Sequence, residues 1–300
     1  MTSSLARINS GTHRPIDVSF EFFPPKTPQM EEKLWQSVTK LAPLQPSFMS
    51  VTYGAGGSTR DRTRKTVIAM AEQTGINVAA HLTCVDASRT EIDEVVQDYH
   101  DAGIRHIVAL RGDPTSGINA RYEPAPGGYA YASDLVSSIK SNDDMVVSVA
   151  AYPERHPESA NWDVELDSLK RKIDAGADQA ITQFCLDPDV MIDFQDRLLA
   201  ADISIPLVPG VMLQPNFNGL VRMADMCGTN VPKWMFNLFE GTENDPITRQ
   251  LLTANIVAEY CTKLQGAGFR SFHFFTLNSA DFAFATCRVL GLKPKEDITS

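Results

Sequence analysis

At 300 residues, with 43% hydrophobic and 21% charged side chains, the chain has globular composition and room for one large domain or two ordinary ones. Asp and Glu (37) outnumber Lys and Arg (27), leaving a net charge of −10. That weighs against a general nucleic-acid binder, whose phosphate contacts need a basic face, but not against a local basic pocket for one anionic cofactor.

Taken in chain order, residues 1–15 read as a loose polar tail without the apolar core of a signal peptide. Short apolar, β-branched runs then alternate with amphipathic stretches. The spacing predicts strands at Val18–Phe22, Phe48–Thr52, Asn77–Thr83, His106–Arg111, Val146–Tyr152, Gln179–Phe184, Ser204–Pro209 and Ser271–Thr276. Helices are expected at Gln29–Leu41, Thr59–Gln73, Arg89–Asp101, Ala132–Ser141, Val164–Ala175, Pro188–Ala201, Phe217–Met226 and Ala280–Leu290. An extra helical segment, Asp245–Leu264, precedes the last strand. Eight strand–helix repeats predict an α/β fold, a single parallel (β/α)8 TIM barrel over residues 16–300; a doubly wound open sheet alternates in the same way and is the alternative. The Gly- and Pro-dense stretch Gly112–Gly128 reads as one long loop after the fourth strand.

Other classes fall away. Five cysteines, odd in number and without a Cys-x-x-Cys pair, suit a reducing cytoplasm rather than a disulfide framework or a zinc site. No apolar run reaches the ~20 residues of a membrane span. The six histidines lack metal-ligand spacing, so no metal is expected. No dinucleotide-type or phosphate-loop glycine motif is present.

Barrel enzymes place chemistry at the C-terminal ends of their strands. In the first strand, alternation sets Val18, Phe20 and Phe22 on the helix-facing side and Ser19 and Glu21 on the other. Glu21, flanked by Phe22 and Phe23, is then expected in the barrel mouth with a pKa raised by desolvation, suited to act as an acid. The glycine-rich turn 54–58 feeds a helix N-terminus, where an anion can bind. Further polar groups end the other strands: His81 and Thr83, Arg111-Gly112-Asp113, Tyr152 with His156, Thr182-Gln183, and Thr276-Leu277-Asn278. No serine or cysteine is paired with a recognisable base. Such a set can orient a planar polar molecule and move a proton, leaving the harder chemistry to an organic cofactor.

In combination and order, Ser19-Phe-Glu-Phe-Phe-Pro-Pro-Lys26, Val51-Thr-Tyr-Gly-Ala55, His81-Leu-Thr-Cys84 and Ala109-Leu-Arg-Gly-Asp113 resemble the bacterial methylenetetrahydrofolate reductases. So do Tyr131-Ala-Ser-Asp-Leu135, Val149-Ala-Ala-Tyr-Pro-Glu154, Asp178-Gln-Ala-Ile-Thr-Gln-Phe184 and Phe272-His-Phe-Phe-Thr-Leu-Asn278. The resemblance runs from about Asp17 to Leu292. It implies a flavoprotein barrel that interconverts 5,10-methylenetetrahydrofolate and 5-methyltetrahydrofolate, with FAD as cofactor and NADH as co-substrate in a ping-pong reaction. By the same resemblance Glu21 is the acid that protonates the folate N10, and Asp113 is the carboxylate beside flavin and pterin. Gln183 would hydrogen-bond the pterin.

The FAD set implied is Thr52, Tyr53, His81, Leu110, Arg111, Gly112, Asp113, Tyr131, Ala132, Tyr152, His156, Glu165 and Lys172, with Glu165 standing where an Asp is usual. Met223 stands where a Phe can cover nicotinamide or folate, and Gly219 and Ser279 replace a Gln and an Arg that can hold the folate tail. The resemblance further implies a cytoplasmic homo-oligomer involved in one-carbon metabolism and methionine biosynthesis, with no membrane or nucleic-acid partner. The chain stops at Ser300, so no C-terminal regulatory domain is expected. A barrel flavin reductase acting on another substrate, and a non-catalytic flavin- or folate-binding protein, are the alternatives.

Overall fold

A computed structural model describes residues 16–54, 59–113 and 122–295. Among them run nine strands: β1 (Asp17–Phe22), β2 (Phe48–Val51), β3 (Val78–Thr83), β4 (His106–Leu110), β5 (Val146–Ala151), β6 (Gln179–Thr182), β7 (Leu207–Val208), β8 (Gly210–Met212) and β9 (Ser271–Phe275). The helices between them are α1 (Pro28–Leu41), α2 (Arg60–Thr74), α3 (Arg89–Asp101), α4 (Ala132–Ile139), α5 (Trp162–Asp174), α6 (Pro188–Ala200), α7 (Phe217–Cys227), α8 (Lys233–Phe239), α9 (Pro246–Gly266) and α10 (Ala280–Val289). A short 3₁₀ turn, Ala42–Leu44, follows α1.

Every pairing is parallel, in the order β7-β6-β5-β4-β3-β2-β1-β9-β8. Only Pro209 separates β7 from β8, so they are halves of one bent strand that pairs with β6 at its start and β9 at its end. This brings the two edges of the sheet together and makes a (β/α)8 barrel.

The bend corrects the expected strand Ser204–Pro209. Proline offers no N–H to a ladder, so the paired register starts at Leu207, with the Pro206 carbonyl accepting from the Ala180 N–H at 2.9 Å. The chain turns at Pro209, whose carbonyl accepts from the His273 N–H at 2.9 Å. Gly210 then passes so close to β6 that a Cβ would run into the Thr182 carbonyl oxygen and lie 2.7 Å from the Phe275 ring. Gly210→Ala is therefore expected to cost roughly 1–3 kcal/mol through overpacking, read as a lowered Tm with an otherwise unchanged fold.

Local sequence explains most element ends. Thr27 caps α1 by accepting from the Met30 N–H, with Pro28 in the first turn. Ser88 and Glu91 form a capping box on α3, and Asn161 and Asn216 cap α5 and α7. The main core lies between barrel and helices, where Phe20, Phe22, Phe272 and Phe274 are fully buried. Inside the barrel, Phe48, Ala79, Val108, Ile181 and Val208 form a separate apolar plug. Glu21, His81 and Gln183 sit above this plug, at the C-terminal mouth, while His106, Ser148 and Gln179 lie toward the opposite end.

Candidate active site

The segment that follows β9 holds the end of the Glu21 strand. The Thr276 hydroxyl donates to the Glu21 carbonyl at 2.6 Å. Asn278 clamps the next turn of chain, accepting from the Phe23 N–H at 2.9 Å and donating to the Phe23 carbonyl at 3.1 Å. To do so Leu277 and Asn278 both take left-handed backbone, φ 51° and 55°. Such strain costs of order 1 kcal/mol per residue, and the two Asn278 bonds offset it.

Two buried imidazoles flank the Glu21 carboxylate. His81 Nε2 lies 3.3 Å from Oε2, and His273 Nε2 lies 3.5 Å from the same oxygen. Burial alone would push the carboxyl pKa up, but the adjacent His273 and His81 rings more than cancel it and hold the group below its usual value. The expected raised pKa is thus corrected in direction, because His273 and His81 outweigh burial. Burial pushes His81 the other way, toward the neutral ring.

Above this trio opens a cavity of about 330 Å³. Its lining brings together Glu21, Thr52, Tyr53, His81, Gln183 and Met223, which lie far apart in sequence. Gln183 accepts from the Phe184 N–H at 3.0 Å, which leaves its Nε2 donors without a partner among the described residues. Met223 is one turn past Gly219 on α7, and its sulfur lies 3.8 Å from Gln214 Nε2. The same amide covers Gly219, where a Cβ would meet it at 3.3 Å. Ser279 stands at the N-cap position of α10 and makes no capping bond.

A second cavity, of about 340 Å³, adjoins the first along Leu110, Ala150 and Tyr152 and forms a groove down the flank of the mouth. It gathers the remaining expected residues: Arg111, Gly112, Asp113, Tyr131, Ala132, His156, Glu165 and Lys172. Gly112 has φ 86°, and a Cβ there would lie within 2.8 Å of Val85 and Thr83, so only glycine fits. Glu165 braces the loop after β5 by accepting from the His156 N–H at 2.9 Å and the Ser159 hydroxyl at 2.7 Å. Arg111 pairs with Glu158 and stacks 4.5 Å over the Tyr122 ring.

Lys172 is the unusual group. Its Nζ donates to the Ala150 carbonyl at 2.9 Å, and among the described residues no carboxylate pairs with it. Burial drives its pKa down to about 8. Half-buried, with Glu165 near enough to favour its charge but not in contact, this ammonium keeps its capacity for an anionic ligand. The anion-binding turn expected at 54–58 falls, from residue 55, outside the described residues; Gly54 N–H donates to the Thr59 hydroxyl at 2.6 Å.

Sequence reasoning missed His273, Phe275, Leu277 and Met212, which also line the first cavity. Strand alternation on β9 could have found the first two, since Phe272 and Phe274 face the core and Ser271, His273 and Phe275 face inward. Among the described residues no cluster of His, Cys, Asp and Glu is arranged as a metal site, and no helix is long and apolar enough to cross a membrane.

A parallel barrel with a carboxylate between two imidazoles at its mouth, flanked by a groove with a half-buried cation, can handle protons beside an anionic ligand. The family model described as Methylenetetrahydrofolate reductase matches residues 7–291. The 5,10-methylenetetrahydrofolate reductase of Pectobacterium carotovorum subsp. carotovorum is 47% identical over 281 residues, covering 93% of this chain and 91% of that one. Its Salmonella typhimurium counterpart is 45% identical over 294 residues, covering 98% and 96%. Among solved structures, an uncharacterized protein from Clostridium thermocellum that binds two copies of 5-methyl-5,6,7,8-tetrahydrofolic acid superposes with a TM-score of 0.62 over 93% of this chain and 95% of its own. At 14% identity that likeness speaks for the fold alone. The chain belongs to the methylenetetrahydrofolate reductase family, and its activity is that of a folate oxidoreductase of this class.

Proposed function

We propose that the chain reduces 5,10-methylenetetrahydrofolate to 5-methyltetrahydrofolate at the expense of NADH, with FAD in the groove and the two substrates using the adjoining cavity in turn. The observation that carries this reading is the junction of the Glu21 cavity with a groove holding the cations Arg111 and Lys172, Lys172 making no direct ion pair among the described residues.

The groove suits FAD in the order of its residues. Lys172 and Arg111 supply positive charge for the diphosphate, Gly112 leaves room beside the backbone, and Glu165 with Tyr131 and Ala132 offers contacts for the adenosine end. Thr52, Tyr53, His81, Leu110, Tyr152 and His156 remain for the isoalloxazine half and its link. Burial holds the Tyr152 phenol and the His156 ring neutral, so both can serve as hydrogen-bonding walls without adding charge. FAD, when bound, would carry hydride from the nicotinamide to the folate.

The chain's own residues do the rest. Glu21 donates a proton to the folate N10 as its bond to the methylene carbon breaks, leaving an iminium that accepts the hydride. Gln183 offers its unpaired amide donors to the pterin, and Met223 covers the bound ring. Asp113 lies in the groove close enough to bear on both Tyr152 and Cys227, which line the folate cavity. Its charge favours the cationic iminium and opposes an anionic reduced flavin. Asp113→Asn is expected to raise the flavin midpoint potential and slow folate reduction; an unchanged or lowered potential by spectroelectrochemistry would remove Asp113 from that position.

Anaerobic incubation of the FAD-loaded protein with NADH and 5,10-methylenetetrahydrofolate tests the whole reading. Chromatography should show 5-methyltetrahydrofolate only when both substrates are present. No such product with either NADH or NADPH would overturn it.

A further inference from the structure

We propose that Ser19, His273 and Glu21 form a proton relay, in which the His273 imidazole stores the proton that Glu21 delivers. The inference deepens the reading of Glu21 as the acid of folate reduction and rests on it for the final transfer.

The geometry follows from strand pairing. Ser19 and Glu21, two apart on β1, share the inward face, and His273 on β9 stands in register with Ser19. One ring therefore reaches both: Nδ1 lies 2.7 Å from the Ser19 hydroxyl and Nε2 lies 3.5 Å from Glu21 Oε2. The ring is fully buried, with Phe48 stacked at 5.5 Å and the Phe275 edge at 5.4 Å. Nε2 has no hydrogen-bond partner, which leaves it aimed at Oε2 alone among the described polar atoms. A buried ring nitrogen in that position is costly unless it carries a proton toward the carboxylate.

The other titratable groups facing this ring do not compete. His81, from β3, touches the same carboxylate oxygen but also the Ser50 hydroxyl at 3.3 Å, and burial favours its neutral form. His106, from β4, lies beyond Phe48, bonds the Ser148 hydroxyl at 2.7 Å and is driven by burial to a pKa of about 4. Of the three imidazoles, His273 alone has one nitrogen fixed by a hydroxyl and the other directed solely at Glu21. In the relay Ser19 accepts from Nδ1–H, which makes Nε2 the position where the proton comes and goes.

The step balances. The proton leaves Nε2 of the His273 imidazolium for Glu21 Oε2, and passes from Oε2 to the substrate nitrogen as its C–N bond opens. Glu21 ends as carboxylate and His273 as the neutral ring with Nδ1–H still on Ser19. Solvent restores the Nε2 proton once product leaves. A low carboxyl pKa in the empty site is then compatible with acid catalysis, because the proton belongs to the pair.

Two measurements test the relay. The first needs no turnover: nitrogen NMR of histidine-labelled, flavin-loaded protein, with His273 assigned by its loss in His273→Gln. Glu21→Gln should move the His273 Nε2 resonance at neutral pH, because the ring loses the carboxylate it faces. An unchanged His273 Nε2 resonance overturns the relay. The second is stopped-flow with His273→Gln and the milder Ser19→Ala, which guards against misfolding of the first. Flavin reduction by NADH should be kept, while flavin oxidation by the folate slows, by ~10²-fold or more in His273→Gln. The alkaline limb of its pH profile should move to lower pH. Equal losses in both half-reactions with an unmoved pH profile would make His273 a packing residue and overturn the proposal. If instead Glu21→Gln still reduces the folate normally, the acid assignment of Glu21 falls, and the Nε2 resonance still decides whether the two groups share a proton.

Discussion

Replacing Glu21 by glutamine is expected to leave flavin reduction by NADH nearly intact and to slow flavin oxidation by 5,10-methylenetetrahydrofolate by ~10²–10⁴-fold, the usual worth of a positioned general acid. Glutamine keeps the size of the side chain, and the Thr276 and Asn278 bonds that place this strand end go to backbone atoms, so they survive the change. What is lost is the transferable proton and the negative charge facing His81 and His273. Stopped-flow of the separate half-reactions reads the difference directly. Similar, small losses in both would show that Glu21 is a wall of the cavity rather than its acid.

Lys172→Met should weaken FAD binding by roughly tenfold to a hundredfold, since a charge-assisted hydrogen bond contributes about 1.5–3 kcal/mol. The same change should stabilise the FAD-free protein at neutral pH. A lysine whose pKa falls to about 8 on folding binds fewer protons in the folded than in the unfolded chain, from that pH up to the ordinary lysine value. Folding stability from this group therefore rises with pH across that window and carries its full penalty below it. At 1.36 kcal/mol per pKa unit the penalty has an upper bound of roughly 3–4 kcal/mol, reduced by partial exposure of the side chain, and methionine removes it. Flavin binding runs the other way: the diphosphate favours the ammonium, so wild-type affinity should fall as pH rises above about 8. Fluorescence titration with FAD and thermal melts of the apoprotein check both signs. A variant that binds FAD as tightly as wild type, or melts lower, would take Lys172 out of the diphosphate site.

The periodicity of β1 made the placement of Glu21 legible, because Val18, Phe20 and Phe22 alternate with Ser19 and Glu21 without interruption. The turn Arg111-Gly112-Asp113 was legible for a similar reason: it ends a clear apolar strand. The bent strand at Leu207–Met212 was not, since Pro206 and Pro209 interrupt the run and its true end, Gly210-Val211-Met212, reads as loop. Helix α8 was missed because Lys233–Phe239 is too short to display helical periodicity. The sign of the Glu21 pKa shift lay beyond any local reading. It depends on His81 and His273, delivered by β3 and β9 from distant parts of the chain. Likewise the tight cover of Gln214 over Gly219 is a tertiary contact that a residue-by-residue match at position 219 cannot reveal.

In the proposed reaction one cavity, served by Glu21 and opening onto the groove, accepts first the nicotinamide and then the folate. Anaerobic double-mixing stopped-flow tests it most directly: the FAD-loaded protein is reduced with one equivalent of NADH, then mixed with 5,10-methylenetetrahydrofolate while flavin absorbance is followed. The account predicts bleaching in the first mix and full return of the oxidised spectrum in the second, with excess NADH slowing that return by competing for the cavity. Reduced flavin that stays reduced in the presence of the folate, or a return unaffected by excess NADH, would contradict it.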